Sequence, residues 1–328
     1  MNAMAMGIGV VVIGRNEGLR LERCLTSLVG SVEKVVYVDS GSTDDSVPVA
    51  LRLGVEVVEL DMTIPFTAAR ARNEGFSRLQ RLLPAMRYVQ FVDGDCEVVG
   101  DWLPRAQAFL DTHPDVAVVC GRRRERFPQH SVYNLLCDFE WDTPVGEAKA
   151  CGGDALMRAD AFADASGFRP GLIAGEEPEL CVRLRGNGWK VWRLGEEMTL
   201  HDATMTRFGQ WWRRTLRGGY AFAEGAFLHG AAPEQHWLRE SRRAWFWGLG
   251  VPLVTVLASW VSGWFGLLVL LVYPLQVVRL ARGGDRSTRE NWLRAFFLVL
   301  GKFPEMLGQV KFLLNRFGAG KTALIEYK

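Results

Sequence analysis

Asp93-Gly94-Asp95 sets two carboxylates either side of a glycine, directly behind the apolar run Tyr88-Val89-Gln90-Phe91-Val92. Hard oxygen ligands in that arrangement suit Mg²⁺ or Mn²⁺, which a protein can share with the phosphates of a substrate. The same residue types also build ordinary turns. Two more polar loops follow apolar runs in the same way: Gly14-Arg15-Asn16-Glu17 behind residues 10–13, and Asp39-Ser40-Gly41-Ser42-Thr43-Asp44 behind residues 34–38. Ser42 with Asp45 three positions on also has the form of a helix cap. Further along, Glu176-Glu177-Pro178-Glu179 opens a helix-like segment, where the helix dipole favours carboxylates in the first turn. His201-Asp202 follows a late apolar stretch, and a lone histidine is structural more often than it is a ligand.

These groups need a scaffold that gathers them. Residues 10–13, 34–38, 55–60, 88–92 and 116–120 read as strands, and 19–28, 43–53, 68–82 and 102–110 as helices. Such alternation predicts an α/β fold with a mainly parallel sheet covered by helices on both faces. Ligands of these sheets sit beyond the carboxyl ends of the strands, so the loops after strands one, two and four should share one edge. A dinucleotide fingerprint fails because a third glycine is required where Val12 stands. Gly318-Ala319-Gly320-Lys321-Thr322 resembles the end of a phosphate-binding loop, but Asn315 occupies its first glycine position, and it reads as a tail.

Composition narrows the field. With 39 Lys+Arg against 37 Asp+Glu, a net charge of +2 offers no electrostatic footprint for nucleic acid, so no such partner is expected. The 6 cysteines form no C-x-x-C pair, which argues for free thiols and against a zinc or dithiol site. The amino terminus lacks the features of a signal peptide and reads as a first strand, placing this part in the cytosol.

From residue 244 to residue 278 no charge occurs at all. A straight helix of that length would run roughly 50 Å, well beyond a hydrocarbon core of about 30 Å. Ser259-Trp260-Val261-Ser262-Gly263 offers a turn, so the run is expected to enter a membrane as two short spans or a re-entrant hairpin. Arg239, Arg242 and Arg243 before it, and Arg279, Arg282, Arg286 and Arg289 after it, place both flanks in the cytosol. Residues 292–317 repeat apolar groups at helical spacing with charges between them, and are expected to lie along the membrane surface or pack under the soluble part. A division into residues 1–240 and a helical membrane region, 241–328, follows.

Across roughly residues 7–215 the chain resembles the membrane-attached bacterial type of family 2 glycosyltransferase, of the GT-A fold. Val11-Val12-Ile13-Gly14-Arg15-Asn16-Glu17 resembles the family's first strand and loop, and Val38-Asp39-Ser40-Gly41-Ser42-Thr43-Asp44 its nucleotide loop. Ala69-Arg70-Ala71-Arg72-Asn73-Glu74-Gly75 is similar to the segment preceding the D-x-D passage. Cys151-Gly152-Gly153-Asp154, Gly167-Phe168 and Gly175-Glu176-Glu177-Pro178-Glu179 are similar to the acceptor-side half. The resemblance implies a nucleoside-diphosphate-sugar donor and an inverting transfer to an acceptor hydroxyl. Glu17 and Asp39, with their neighbours Arg15, Asn16, Ser42 and Asp44, would hold base and ribose, and Arg70 and Arg72, beside Asn73, would approach the pyrophosphate. Asp93 and Asp95 would hold the donor through the metal, joined by His201, and Gly153 and Asp154 would line the donor site. Glu177, or Glu176 beside it, would be the base; here the sequence departs from the family's usual aspartate. Gln210-Trp211-Trp212-Arg213-Arg214 partly resembles the Q-x-x-R-W motif of processive synthases, with Gln210, Arg213 and Arg214 facing phosphates or anionic lipid. The acceptor implied is lipid-linked or membrane-proximal, on the cytosolic side of the cytoplasmic membrane, for cell-surface glycan or glycolipid synthesis. A metal-dependent nucleotidyltransferase would use the same phosphate physics, but its extra basic loop is not identifiable. An inactive membrane-tethered binding module would have lost the carboxylates that are present.

Overall fold

The computed structural model describes residues 5–318. Of Gly318-Ala319-Gly320-Lys321-Thr322, everything past Gly318 lies outside the described residues. Two compact units result, Met1–Thr206 and Arg207–Lys328. The boundary thus falls ahead of the 240/241 expected from charge density. The long helix Phe208–His229 is charged like a soluble domain, yet it packs within the second unit.

The first unit is built on one mixed sheet of β1 (Ala5–Gly14), β2 (Val32–Asp39), β3 (Glu56–Glu59), β4 (Tyr88–Asp93), β5 (Cys96–Val98), β6 (Val116–Glu125), β7 (Gly146–Ala148), β8 (Ala155–Arg158) and β9 (Lys190–His201). Strand order is β3-β2-β1-β4-β8-β6-β9-β5, with β7 also on β9. The β3-β2-β1-β4 half is parallel throughout, as are β6 and β9, and β8 runs antiparallel between β4 and β6. Ile8, Val10, Val11 and Val12 are completely buried, because a central parallel strand is covered on both faces.

Helices α1 (Leu19–Leu28), α2 (Ser46–Arg52), α3 (Ala68–Leu82), α4 (Trp102–Thr112), α5 (Val132–Glu140), α6 (Ala159–Asp164) and α7 (Glu176–Gly186) complete the unit. Helix α3 lies so close to β1 that a Cβ on Gly75 would overlap Val11. Thr67 starts that helix by accepting from Arg70 N. Chain progress reverses between β1 and β4: the chain first steps outward to β3 and then returns to the other side of β1. Such a switch point opens a crevice at the carboxyl ends of those two strands. Beneath it, Phe91, Phe162 and Phe168 pack ring to ring, 5.0 to 5.1 Å apart.

In the second unit, α8 (Phe208–His229) crosses a later helix, Lys302–Phe317, backbone against backbone. A Cβ on Gly219 would overlap the Glu305 carbonyl, and one on Gly308 the Leu216 carbonyl. The amphipathic segment expected at 292–317 is therefore two helices, Thr288–Leu300 and Lys302–Phe317, the second burying Gly308, Gln309 and Phe312 while Leu307, Leu313 and Leu314 stay exposed.

Between them runs Leu238–Arg282, 45 residues long and apolar enough to cross a membrane. It does not run straight, because Ser262 and Gly263 turn the chain, Gly263 at φ 62°. Tyr273 Oη donates to Trp247 O at 2.6 Å, and Gly266 backs onto Ser259 without room for a Cβ, so the two legs run antiparallel. The chain thus doubles back where the sequence offers a turn. The tip is open: Trp260 is 86% exposed and Trp264 70%.

Candidate functional site

At the carboxyl end of β1 and β2 two loops lock together. Asn16, at φ 55°, donates from its backbone to Ser42 Oγ (2.9 Å) and accepts from Thr43 N (2.7 Å). Asp44 accepts from Gly18 N and Ser46 N. Asp39 is almost wholly buried and accepts from Tyr37 Oη, Gly41 N and Ser42 N at 2.7 to 3.0 Å. Its carboxylate thus holds the loop's shape. Glu17 is buried in an ion pair with Arg20 (2.6 Å), next to Gly94, whose lack of a Cβ leaves the Glu17 side chain its space.

One strand over, charges crowd together. Arg72, on α3, is fully enclosed and reaches Asp93 Oδ1, Glu176 Oε1 and Glu177 Oε1, each at 2.7 Å. Its guanidinium lies 5.6 Å over the Phe168 ring. Burial works against its charge, but the carboxylates of Glu177, Asp93 and Glu176 outweigh it and raise its pKa. Arg123, on β6, reaches Asp93 Oδ2 (3.2 Å) and Asp154 Oδ2 (3.5 Å), with Asp95 Oδ1 at 3.9 Å. Asp154 is completely buried and anchors the group by accepting from Asp93 N (3.0 Å) and Thr199 Oγ1 (2.8 Å).

Glu177 responds to this crowding. Burial first, and then the neighbouring Glu176 and Asp93 charges, push its carboxyl up to about 7 against the pull of Arg72. A carboxylate tuned to that range can take a proton near neutrality. Gly153 faces it: a Cβ there would stand 2.7 Å from Arg72 Nη2 and 3.1 Å from Glu177 Oε1.

His201 closes the other side. Its Nδ1 is 2.8 Å from Glu125 Oε2, and its Nε2 is 3.7 Å from Asp95 Oδ2. A carboxylate behind one ring nitrogen, with the other aimed at an acidic group, is the arrangement that orients metal-ligating histidines. Ligand atoms of Asp95, Cys96 and His201 lie within 4.8 Å of one another. Burial pushes the Cys96 thiol well up, and Asp95 and His201 offer an oxygen and an imidazole as donors. Asp93, Asp95, Asp154, Glu176 and Glu177 outnumber Arg72 and Arg123, and this excess of negative charge, with an oxygen and imidazole donor pair, fits a divalent cation.

The structure thus brings Arg72, Asp93, Asp95, Gly153, Asp154, Glu176, Glu177 and His201 together, and sets Asn16, Glu17, Asp39, Ser42 and Asp44 along the adjoining edge. Other expected residues stand elsewhere. Arg70 binds the carbonyls of Asp61, Ile64 and Pro65, apart from the cluster. Asn73 pairs with both backbone groups of Phe168 (2.7 and 2.9 Å), joining α3 to the Gly167 turn. Arg15 is exposed at the tip of its loop. Gln210 caps the start of α8 by accepting from Arg207 N, and Arg213 and Arg214 follow on that helix, in the second unit. Arg123, Glu125 and Thr199 escaped sequence reading. The signal was the alternation in Arg122-Arg123-Arg124-Glu125, where a strand continues past its apolar run.

Residues 9–140 match the model of glycosyl transferase family 2. Over that stretch the chain is similar to family 2 glycosyltransferases. Over 51 residues it is 41% identical to an uncharacterized glycosyltransferase of Rickettsia felis, covering 16% of this chain and 18% of that protein. The match thus spans less than a fifth of that relative's length. Among solved structures, a mannosyltransferase of Pyrobaculum calidifontis in complex with GDP-Man and Mn²⁺ superposes with a TM-score of 0.60 at 17% identity, over 94% of this chain and 87% of that one. TarS 1–349 of S. aureus gives 0.53 at 15% identity (94% and 91%). Glucosyl-3-phosphoglycerate synthase of Mycobacterium tuberculosis gives 0.50 at 18% (68% and 80%). At these identities the likeness establishes the GT-A fold.

Proposed function

We propose that this protein is a membrane-attached, inverting glycosyltransferase that moves a sugar from a nucleoside-diphosphate donor to an acceptor hydroxyl on a lipid-linked or membrane-proximal molecule, at the cytosolic face. The observation that carries the reading is Glu177, poised near neutrality and held 2.7 Å from Arg72 at the strand edge that bears Asp93 and Asp95. Glu177 takes the proton of the acceptor hydroxyl as its oxygen bonds to the anomeric carbon, and the bond from that carbon to the diphosphate oxygen breaks. Glu176 and Asp93, by their charge, keep Glu177 basic, and Arg72 fixes where it points. With Glu177 acting as a base on the acceptor and not as a nucleophile on the donor, the displacement is a single in-line step. Asp95 and His201, with Asp93 beside them, would hold Mg²⁺ or Mn²⁺, which supplies positive charge to the departing diphosphate. Support comes from the bound molecules of structural neighbours: GDP-Man and Mn²⁺ in the mannosyltransferase, and UDP-GlcNAc in TarS. Attachment rests on the uncharged hairpin and its exposed tip.

The test is a turnover screen of purified protein against a panel of nucleotide sugars with Mg²⁺, with Mn²⁺ and with excess chelator. One or more donors should turn over only with metal, and NMR of the product should show the anomeric configuration inverted. Retention of configuration would remove Glu177 as the base, and full turnover in chelator would remove the cation.

A further inference from the structure

Outside the site just described, the second unit carries a feature that the transfer chemistry does not use. Helix Leu238–Trp245 places Arg239, Arg242 and Arg243, and Phe246 just beyond it, at positions i, i+3, i+4 and i+7, which is one helical face. Together with Gln235 and Leu238 they line an open groove of about 460 Å³. All three arginines are exposed, and none has a hydrogen-bond or ion-pair partner among the described residues. This sets them apart from Arg72, Arg122, Arg123, Arg124, Arg126 and Arg183 of the first unit, which end on carboxylates. Three like charges on one face repel each other, and an anion in the groove relieves that repulsion.

Chemistry next to the groove says what kind of anion. Phe246 is 59% exposed and begins a surface that continues through Leu253, Val254, Val256 and Leu257, each at least half exposed. A free phosphate would satisfy the arginines and leave that surface bare. A molecule with a phosphate at one end and hydrocarbon behind it meets both. The antiparallel legs, fixed by Tyr273 and Trp247, also bring Arg279 and Arg282 to the same end of the hairpin as Arg239, Arg242 and Arg243. That end is therefore a positive rim on an apolar body.

We propose that the Arg239–Arg242–Arg243 groove binds the phosphate of an anionic membrane lipid, whose acyl chains run along the exposed face of the hairpin. The inference rests on the membrane attachment proposed above. Each arginine near an anionic lipid surface contributes about fivefold in affinity. Guanidinium supplies paired donors to phosphate oxygens, so glutamine cannot replace it.

Full-length protein in neutral-detergent micelles would be titrated with radiolabelled short-chain phosphatidylglycerol, phosphatidylcholine and inorganic phosphate, with complex separated by gel filtration. Phosphatidylglycerol should bind saturably and phosphatidylcholine should not. Arg239→Gln, Arg242→Gln and Arg243→Gln should each weaken binding about fivefold, and the triple variant on the order of a hundredfold. Arg52→Gln, which removes a charge from the first unit, should leave it unchanged. Far-UV circular dichroism melts confirm that the variants fold. Equal binding of phosphatidylcholine, or wild-type binding by the triple variant, overturns the site. Displacement of the lipid by inorganic phosphate at matching concentration overturns the lipid assignment. Membrane attachment fails separately, if alkaline carbonate releases the wild-type protein from membranes.

Discussion

The two units break the usual partition between core and surface in opposite directions. Around Arg72 the protein buries charge, with Asp154 completely enclosed and Arg72 nearly so. Along 244–278 it exposes hydrocarbon, and Arg239, Arg242 and Arg243 just ahead of this run have no carboxylate partner among the described residues. Buried charge is tolerable only when paired, because desolvation of an isolated ion costs several kcal/mol. Exposed hydrocarbon on this scale marks a surface that a bilayer or another protein covers. The first unit therefore uses a low dielectric to tune acids and bases, and the second presents an apolar surface outward.

The largest expected effect separates chemistry from binding in the first unit. Glu177→Gln should lower kcat by about 10²- to 10⁴-fold, the usual span for a positioned base, while donor affinity measured by calorimetry stays close to wild type. If Glu176→Gln is the dead variant instead, the base is the neighbouring residue. Next comes Arg72→Met, which leaves Glu176, Glu177 and Asp93 without their shared cation. Breaking a buried pair costs about 3–5 kcal/mol, so the melting temperature should fall by many degrees, and a melt unchanged from wild type would mean the cluster is hydrated. In the second unit, Val256→Arg puts a charge inside the hairpin at about 2.5–3.5 kcal/mol on the insertion scale. It should shift protein from the carbonate-resistant to the soluble fraction, yet leave turnover of a soluble donor intact. Loss of turnover by that variant would show that the two regions are not independent.

The smallest effect is in the pH profile. With the Glu177 carboxyl near 7, the base is protonated and silent well below that value and free well above it. Turnover under saturating substrate should climb about tenfold per pH unit on the acid side and level off above the pKa. A plateau already reached at pH 5 would say that Arg72 dominates over burial.

Much of this was legible beforehand, for stated reasons. The helices over 19–28 and 68–82 match the sequence expectation to the residue, because an apolar periodicity runs the length of each. Asp93, Asp95 and the Glu176-Glu177 pair stood out because unlike residues interrupt an apolar run or open a helix. Strands β5, β7 and β8 are 3 or 4 residues long and leave no period to detect. Arg123 and Glu125 were hidden for a different reason: a run of charges normally ends a strand, and here the strand carries them inward to meet carboxylates and a histidine from distant segments. Asn73 and Gln210 hydrogen-bond Phe168 and Arg207 in this fold, contacts that no apolar pattern announces.

Arg72 also sets the order in which this molecule can be made. It pairs with Asp93 and also with Glu176, 104 residues further along the chain than itself, and closing so long a loop comes after the local contacts have formed. On a ribosome, a nascent chain that has emerged through β4 can already pair Arg72 with Asp93, but residues 176 and 177 are still inside or unmade. Glu177 thus reaches an arginine already paired with Asp93, and a chain that ends before residue 176 carries the strand-edge acids without Glu176 and Glu177.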